Sequence, residues 1–136
     1  MFERVDHIGI AVDDLDAAIA VHERDYEMEL VHREIIEEQG VEAVLLDVGE
    51  GHVELLRPLS AQTPVGRFLA KQGPGLHHVA YQVVDVAAAL AALRERGMEL
   101  IDQTPRVGIR GSLVAFVHPS SSAGVLTEIV QVSKGH

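Results

Sequence analysis

DHIGIAVDDLDAAI at Asp6–Ile19 and GLHHVAYQVVDVAAAL at Gly75–Leu90 are two versions of one pattern. Each sets a histidine at the head of an apolar run, then an acidic residue, then an alanine-rich stretch. A shift of 71 residues lays His7 on His78, Val12 on Val83, Asp14 on Asp85, Ala17 and Ala18 on Ala88 and Ala89, and Ile19 on Leu90. Farther along, VELLRP (Val53–Pro58) matches TEIVQV (Thr127–Val132), with Glu54 on Glu128 at an offset of 74. Two matches in the same order argue for duplication of a unit of about 60–70 residues. That exceeds the usual solenoid period, so the chain reads as paired modules and not as an array.

Each module reads as a strand, a helix and then more strands. Val5–Val12 is rich in β-branched residues and predicts a strand. Asp13 or Asp14 caps the helix that follows, with Leu15, Ile19 and His22 at helical spacing. Leu30–Ile36 and Val41–Val48 read as strands joined through EEQG, and the GEG turn leads into His52–Leu56. Thr63 and Pro64 suit the N-cap and first position of a short helix over Pro64–Lys71. The second module predicts a strand at His77–Val84, a helix at Val86–Arg96, and strands at Glu99–Gln103, Ser112–Val117 and Val125–Val132. The loop TPRVGIRG lies between the first two of these last three strands. The predicted organisation is one α+β domain over 1–136: module 1 at about 1–60, a linker helix at about 63–72, and module 2 at about 74–136.

Composition narrows the chemistry. The 136 residues include no cysteine, which excludes disulfides and thiolate metal sites and leaves His, Asp and Glu as ligands. A formal charge of −10 without a basic cluster argues against nucleic acid as a partner. No apolar run approaches the ~20 residues of a membrane span. MFERVDHIG lacks a signal-peptide layout, so a cytoplasmic location is expected. With 47% apolar residues the chain can build a core.

Strand periodicity sorts the polar residues. His7 shares a face with Gly9 and Ala11, and His78 with Ala80 and Gln82, so each histidine stands among small or polar neighbours. Glu54 and Glu128 interrupt apolar strands, and a buried carboxylate needs a cation or a shifted pKa. Two imidazoles and two carboxylates suit a divalent ion: Mn²⁺, Co²⁺, Ni²⁺, Fe²⁺ or Zn²⁺. A histidine or glutamate in a strand is more commonly a packing or surface residue. Duplication by itself would also preserve both pairs. His52 shares the face of Glu54, while His22 and His32 show no partner in sequence and His136 is terminal. RVGIRG, with Arg106 and Arg110, reads either as an anion clamp or as a solvated loop.

The stretches DHIGIAV, EEQGV, VELLRPL, VGRFLAKQG, GLHHVAYQV, LRERGMELI, TPRVGIRGSLVAFVHP and GVLTEIVQ resemble the vicinal oxygen chelate superfamily. Within it they are most similar to methylmalonyl-CoA epimerases. The resemblance implies two tandem βαβββ modules forming a cupped, partly closed mixed sheet around one metal site. It implies His7, Glu54, His78 and Glu128 as ligands, Co²⁺ or Mn²⁺ as the ion, and a homodimer. It also implies an acyl-CoA thioester substrate, epimerised at C2 through a metal-stabilised enolate.

Epimerisation needs a proton removed on one face and returned on the other, so a base on each side is the simplest arrangement. Glu128 is the first candidate base. The resemblance implies, for some members, an opposing glutamate three residues after the glycine of EEQGV, where this chain has Ala43. Either the strand bulges and presents Glu42 as the second base, or another group or a water acts, or activity is altered. Many relatives carry a lysine where this chain has Ser120; Arg106, Arg110 and Lys71 are the remaining candidates for the nucleotide tail. The competing functions are a glyoxalase I-like lyase or isomerase on another metal-chelating substrate, and a metal-free bleomycin-resistance-type binding protein.

Overall fold

The computed structural model describes residues 1–133, so His136 lies outside the described residues. The chain divides into two compact units, His7–His77 on one side, and Met1–Asp6 with the chain from His78 onward on the other. These borders differ from the modules read in the sequence. The linker helix belongs with the first unit, and the first six residues belong with the second. Each unit nevertheless holds the predicted βαβββ order.

In the unit His7–His77, strand β1 (Arg4–Ala11, entering the unit at His7) is followed by α1 (Leu15–Ala20), β2 (Glu29–Ile36), β3 (Val41–Val48), β4 (Gly51–Pro58) and α2 (Pro64–Gln72). The strand order is β2-β3-β4-β1. The β1–β4 pair is parallel and the other two are antiparallel. Asp14 caps α1 by accepting the Ala17 N–H at 3.0 Å. The helix then widens into a turn in which Tyr26 N–H donates to the Val21 carbonyl, five residues back. Thr63 caps α2 through the Gly66 N–H at 3.1 Å, with Pro64 in the first turn, as expected.

One face of this sheet packs on α1. Its core joins Val12, Leu15 and Ile19 to Val44, Leu46, Val53 and Leu55. The residues between them, Ala43, Leu45, Glu54 and Leu56, turn to the opposite face and are buried there.

The second unit repeats the plan with β5 (Gly75–Gln82, entering at His78), α3 (Val86–Glu95), β6 (Arg106–Val107), β7 (Leu113–Val117) and β8 (Thr127–Gln131). The order is β5-β8-β7-β6, with β5–β8 parallel. Asp85 caps α3 through the Ala88 N–H at 3.1 Å, as Asp14 does through Ala17. The core of α3 against Ala115, Val117 and Ile129 matches that of α1. The chain start runs beside β5: Glu3 N–H donates to the Gln82 carbonyl at 2.8 Å, and Phe2 stacks on Tyr81.

One predicted strand is displaced. Glu99–Gln103 makes an isolated bridge, Leu100 to Val117, while the short β6 falls at Arg106–Val107, within the expected loop. The cause is Asp102. Its carboxylate accepts the Phe116 N–H at 2.8 Å, taking the place of a main-chain acceptor, so the ladder along β7 stops and resumes after Pro105. Among the described residues no helix is long and apolar enough to cross a membrane.

Candidate metal centre

Both units build the same pair of donors at the same register. In the β1–β4 ladder Glu54 lies opposite Gly9, two residues beyond His7. In the β5–β8 ladder Glu128 lies opposite Ala80, two residues beyond His78. Residues directly opposite share a face, so each histidine and its glutamate project from one side of their sheet. The separations are 3.5 Å for His7 Nε2 to Glu54 Oε1 and 3.2 Å for His78 Nε2 to Glu128 Oε1. All four residues are at most 5% exposed.

These spacings test the fit to a metal. Two ligand atoms each ~2.1 Å from one ion lie about 3.0–3.4 Å apart at right-angled to tetrahedral angles. The His78–Glu128 pair falls within that range and the His7–Glu54 pair lies 0.1 Å beyond it, longer than an ordinary N–H···O bond. The donors are imidazole nitrogen and carboxylate oxygen, which suit a first-row divalent ion. His7 with Glu54 in one unit, and His78 with Glu128 in the other, are each a buried donor pair suited to such an ion.

Phe116 completes the second pair. It lies opposite Glu128 across the β7–β8 ladder, and its ring meets His78 edge-to-face at 5.8 Å. Sequence reasoning passed over it. The signal was present in the repeat: Leu45 lies opposite Glu54, and the shift that carries His7 to His78 carries Leu45 to Phe116.

Glu42 is not placed as a second base. The β3–β4 register runs without a break from Val41 to Val48, so the bulge that Glu42 required does not form. Glu42 lies opposite Arg57, on the face away from Glu54. Arg57 donates to it at 2.9 Å and 3.2 Å, and Arg33 at 2.9 Å. Those two guanidiniums, Arg57 first, hold its carboxyl below the ordinary value, which is wrong for a base that must accept a proton near neutrality.

The candidate cations divide. Arg106 lies opposite Val114, on the face of Glu128 and Phe116. It pairs with Asp102 at 3.0 Å and sits 5.7 Å from the Phe116 ring centroid. Arg110 holds a left-handed backbone, φ 56°, and its carbonyl accepts the Ser133 hydroxyl. Lys71 is exposed in the last turn of α2. Ser120 donates to Glu99 at 2.6 Å.

The histidines without a partner in sequence acquire one. His22 Nδ1 lies 2.8 Å from the Ala18 carbonyl, and His32 Nε2 lies 2.7 Å from Glu34. His52 pairs with Asp47 at 3.1 Å. Each partner follows from strand register or helical spacing, which the single residue does not display.

The sequence profile of the Glyoxalase/Bleomycin resistance protein/Dioxygenase superfamily matches residues 6–116. The chain belongs to this superfamily. Within the superfamily it is 34% identical, over 97% of its length, to the ethylmalonyl-CoA/methylmalonyl-CoA epimerase of Cereibacter sphaeroides, the whole of which it spans. A solved methylmalonyl-CoA epimerase in complex with methylmalonyl-CoA and NH4+ is 40% identical. It covers 96% of this chain and 94% of its own, with a TM-score of 0.91. The epimerase from Mycobacterium tuberculosis gives 39% identity and a TM-score of 0.92 over 95% of this chain and 87% of its own. These superfamily relatives are isomerases.

Proposed function

We propose that this chain is a metal-dependent methylmalonyl-CoA epimerase. The observation that carries the reading is the doubled pair, a buried histidine and a buried glutamate at one register position in each unit. Relatives that are 34–40% identical over nearly the whole chain and bear that name supply the substrate. In this reading His7, Glu54, His78 and Glu128 hold one divalent ion, Co²⁺ or Mn²⁺. A homodimer in the cytoplasm belongs to the same reading.

When bound, the ion supplies Lewis acidity to the thioester carbonyl and carboxylate of the substrate, which makes the C2–H bond more acidic. His7 and His78 would each give the ion an imidazole nitrogen. Glu54 and Glu128 offset the ion's charge in a buried setting where that charge would otherwise be costly. Glu128 accepts and returns the C2 proton on one face. Phe116 holds the His78 ring in place and keeps water from it. Arg106, on the face of Glu128, binds the anionic end of the substrate.

The test is exchange at C2. Purified protein with Co²⁺ supplied, given one epimer of methylmalonyl-CoA in D2O, is expected to form the other epimer with deuterium at C2. Exchange at the background rate, or lactoylglutathione formation in its place, overturns the reading.

A further inference from the structure

We infer that Glu34 is the second base, taking the role that Ala43 cannot fill. The inference rests on the proposed epimerase reading. Glu34 lies directly opposite Ala43 in the β2–β3 ladder. Ala43 is on the face of Glu54, because Leu45 lies opposite Glu54 and the two β3 residues are two apart. Glu34 therefore projects from the same face as Glu54. Adjacent strands are ~4.8 Å apart, a gap a glutamate side chain largely spans, so a carboxylate rooted on β2 is long enough to extend over the small Ala43.

A β-bulge creates this placement. The β2–β3 pairing slips between Leu30 and His32. Before the slip Leu30 pairs with Leu46 and joins the α1 core. An unbroken ladder would then turn Arg33 and Ile35 to the face of Glu54. With Val31 extra, the alternation reverses: Glu34 and Ile36 take those places, and His32 joins them on that face opposite Leu45. Arg33 is sent to the other face, where it pairs with Glu42 and Asp16. Bulges are enriched beside active sites, where they re-aim a side chain in this way.

The chemistry suits a base. Glu34 lies 2.7 Å from His32 Nε2, and both side chains are 31% exposed, so a proton taken by Glu34 has a route to solvent. In the reaction the C2–H bond breaks, its proton goes to one carboxylate, and its electron pair moves into the thioester carbonyl. A proton from the second carboxylate then forms a new C2–H bond on the opposite face. Glu128 and Glu34 are those two carboxylates, and no other reactant is consumed. The repeat sets off the difference between the units. Arg106, opposite Val114, holds the position that Glu34 holds opposite Ala43, so one unit places an acid there and the other a cation.

The experiment compares wild type with Glu34→Gln and Glu34→Asp, loaded with Co²⁺ and given each epimer separately in D2O. General acid–base catalysis is worth ~10²–10⁴ in rate. Glu34→Gln is therefore expected to slow interconversion at least a hundredfold while one epimer still exchanges its C2 proton without inversion. Cobalt content and melting temperature are expected to match wild type. Glu34→Asp, which keeps a carboxylate, is expected to fall between the two. Interconversion by Glu34→Gln within threefold of wild type overturns the inference. So does an equal loss of exchange from both epimers, or a loss of cobalt. If wild type itself performs no exchange, the epimerase reading fails first; if wild type is active and Glu34→Gln matches it, only the role of Glu34 fails.

Discussion

Phe116 lies directly across the β7–β8 ladder from Glu128, and its ring packs edge-on against the histidine that pairs with that glutamate. An aromatic edge-to-face contact is worth about 0.5–1.5 kcal/mol beyond the area it buries. Phe116→Leu keeps an apolar side chain but removes this contact. The expected outcome is a stability loss of about 1–2 kcal/mol by urea unfolding and a weaker affinity for Co²⁺ by titration. Unchanged cobalt affinity would remove Phe116 from the support of His78.

Metal binding should appear as stability. A ligand at about a hundred times its dissociation constant stabilises the folded state by about 2.7 kcal/mol. Cobalt at that excess should raise the melting temperature by roughly 10 °C, and a chelator should reverse the rise. His78→Ala, which removes one of the four proposed donors, should abolish the cobalt-dependent shift. Calorimetry with and without the metal checks both.

Glu42 predicts a pH signature on stability. Arg57 and Arg33 hold its carboxyl below the ordinary value of 4.5. A group whose folded pKa is depressed stabilises the fold at pH values above its unfolded pKa, and loses that contribution as pH falls through the folded value. Glu42→Gln should therefore be less stable than wild type by about 0.5–1 kcal/mol above pH 5. The two stability curves should converge as the pH falls through the depressed value, read by denaturant unfolding at a series of pH values. Epimerase activity at neutral pH should remain, because the side chain lies on the face away from Glu54.

Gly66 sits in the first turn of α2, where an added Cβ would collide with the Ser60 carbonyl oxygen and meet the Ala61 carbonyl carbon and oxygen at 2.9 Å. These are main-chain atoms and yield little. Gly66→Ala should destabilise the protein by on the order of 2 kcal/mol, the cost typical of overpacking. Thermal unfolding measures it; a neutral effect would mean that the Ser60–Ala61 turn is free to move.

Several features were legible from the sequence because they depend on local rules. The Asp14 and Thr63 caps follow from side chains that accept N–H groups three positions on. The shared faces of His7 with Gly9 and of Glu54 with Leu56 follow from the two-residue period of a strand. The duplication joined these local readings into four candidate ligands, and both pairs meet at equal register. The exchange of Glu99–Gln103 for Arg106–Val107 was not legible. It turns on a side chain, Asp102, replacing a main-chain acceptor for Phe116, and no periodicity records that.

The two-module plan, the core faces and the paired histidines and glutamates are readable along the chain, since hydrophobic alternation and internal repetition are linear properties. Which glutamates face Glu54's side of the sheet is settled by strand pairing. The unbroken β3–β4 register turns Glu42 away to Arg57 and Arg33, and the slip at Val31 turns Glu34 toward it. Register is a property of two strands together: a single extra residue reverses every side chain beyond it, and that residue is marked only once its partner is in place.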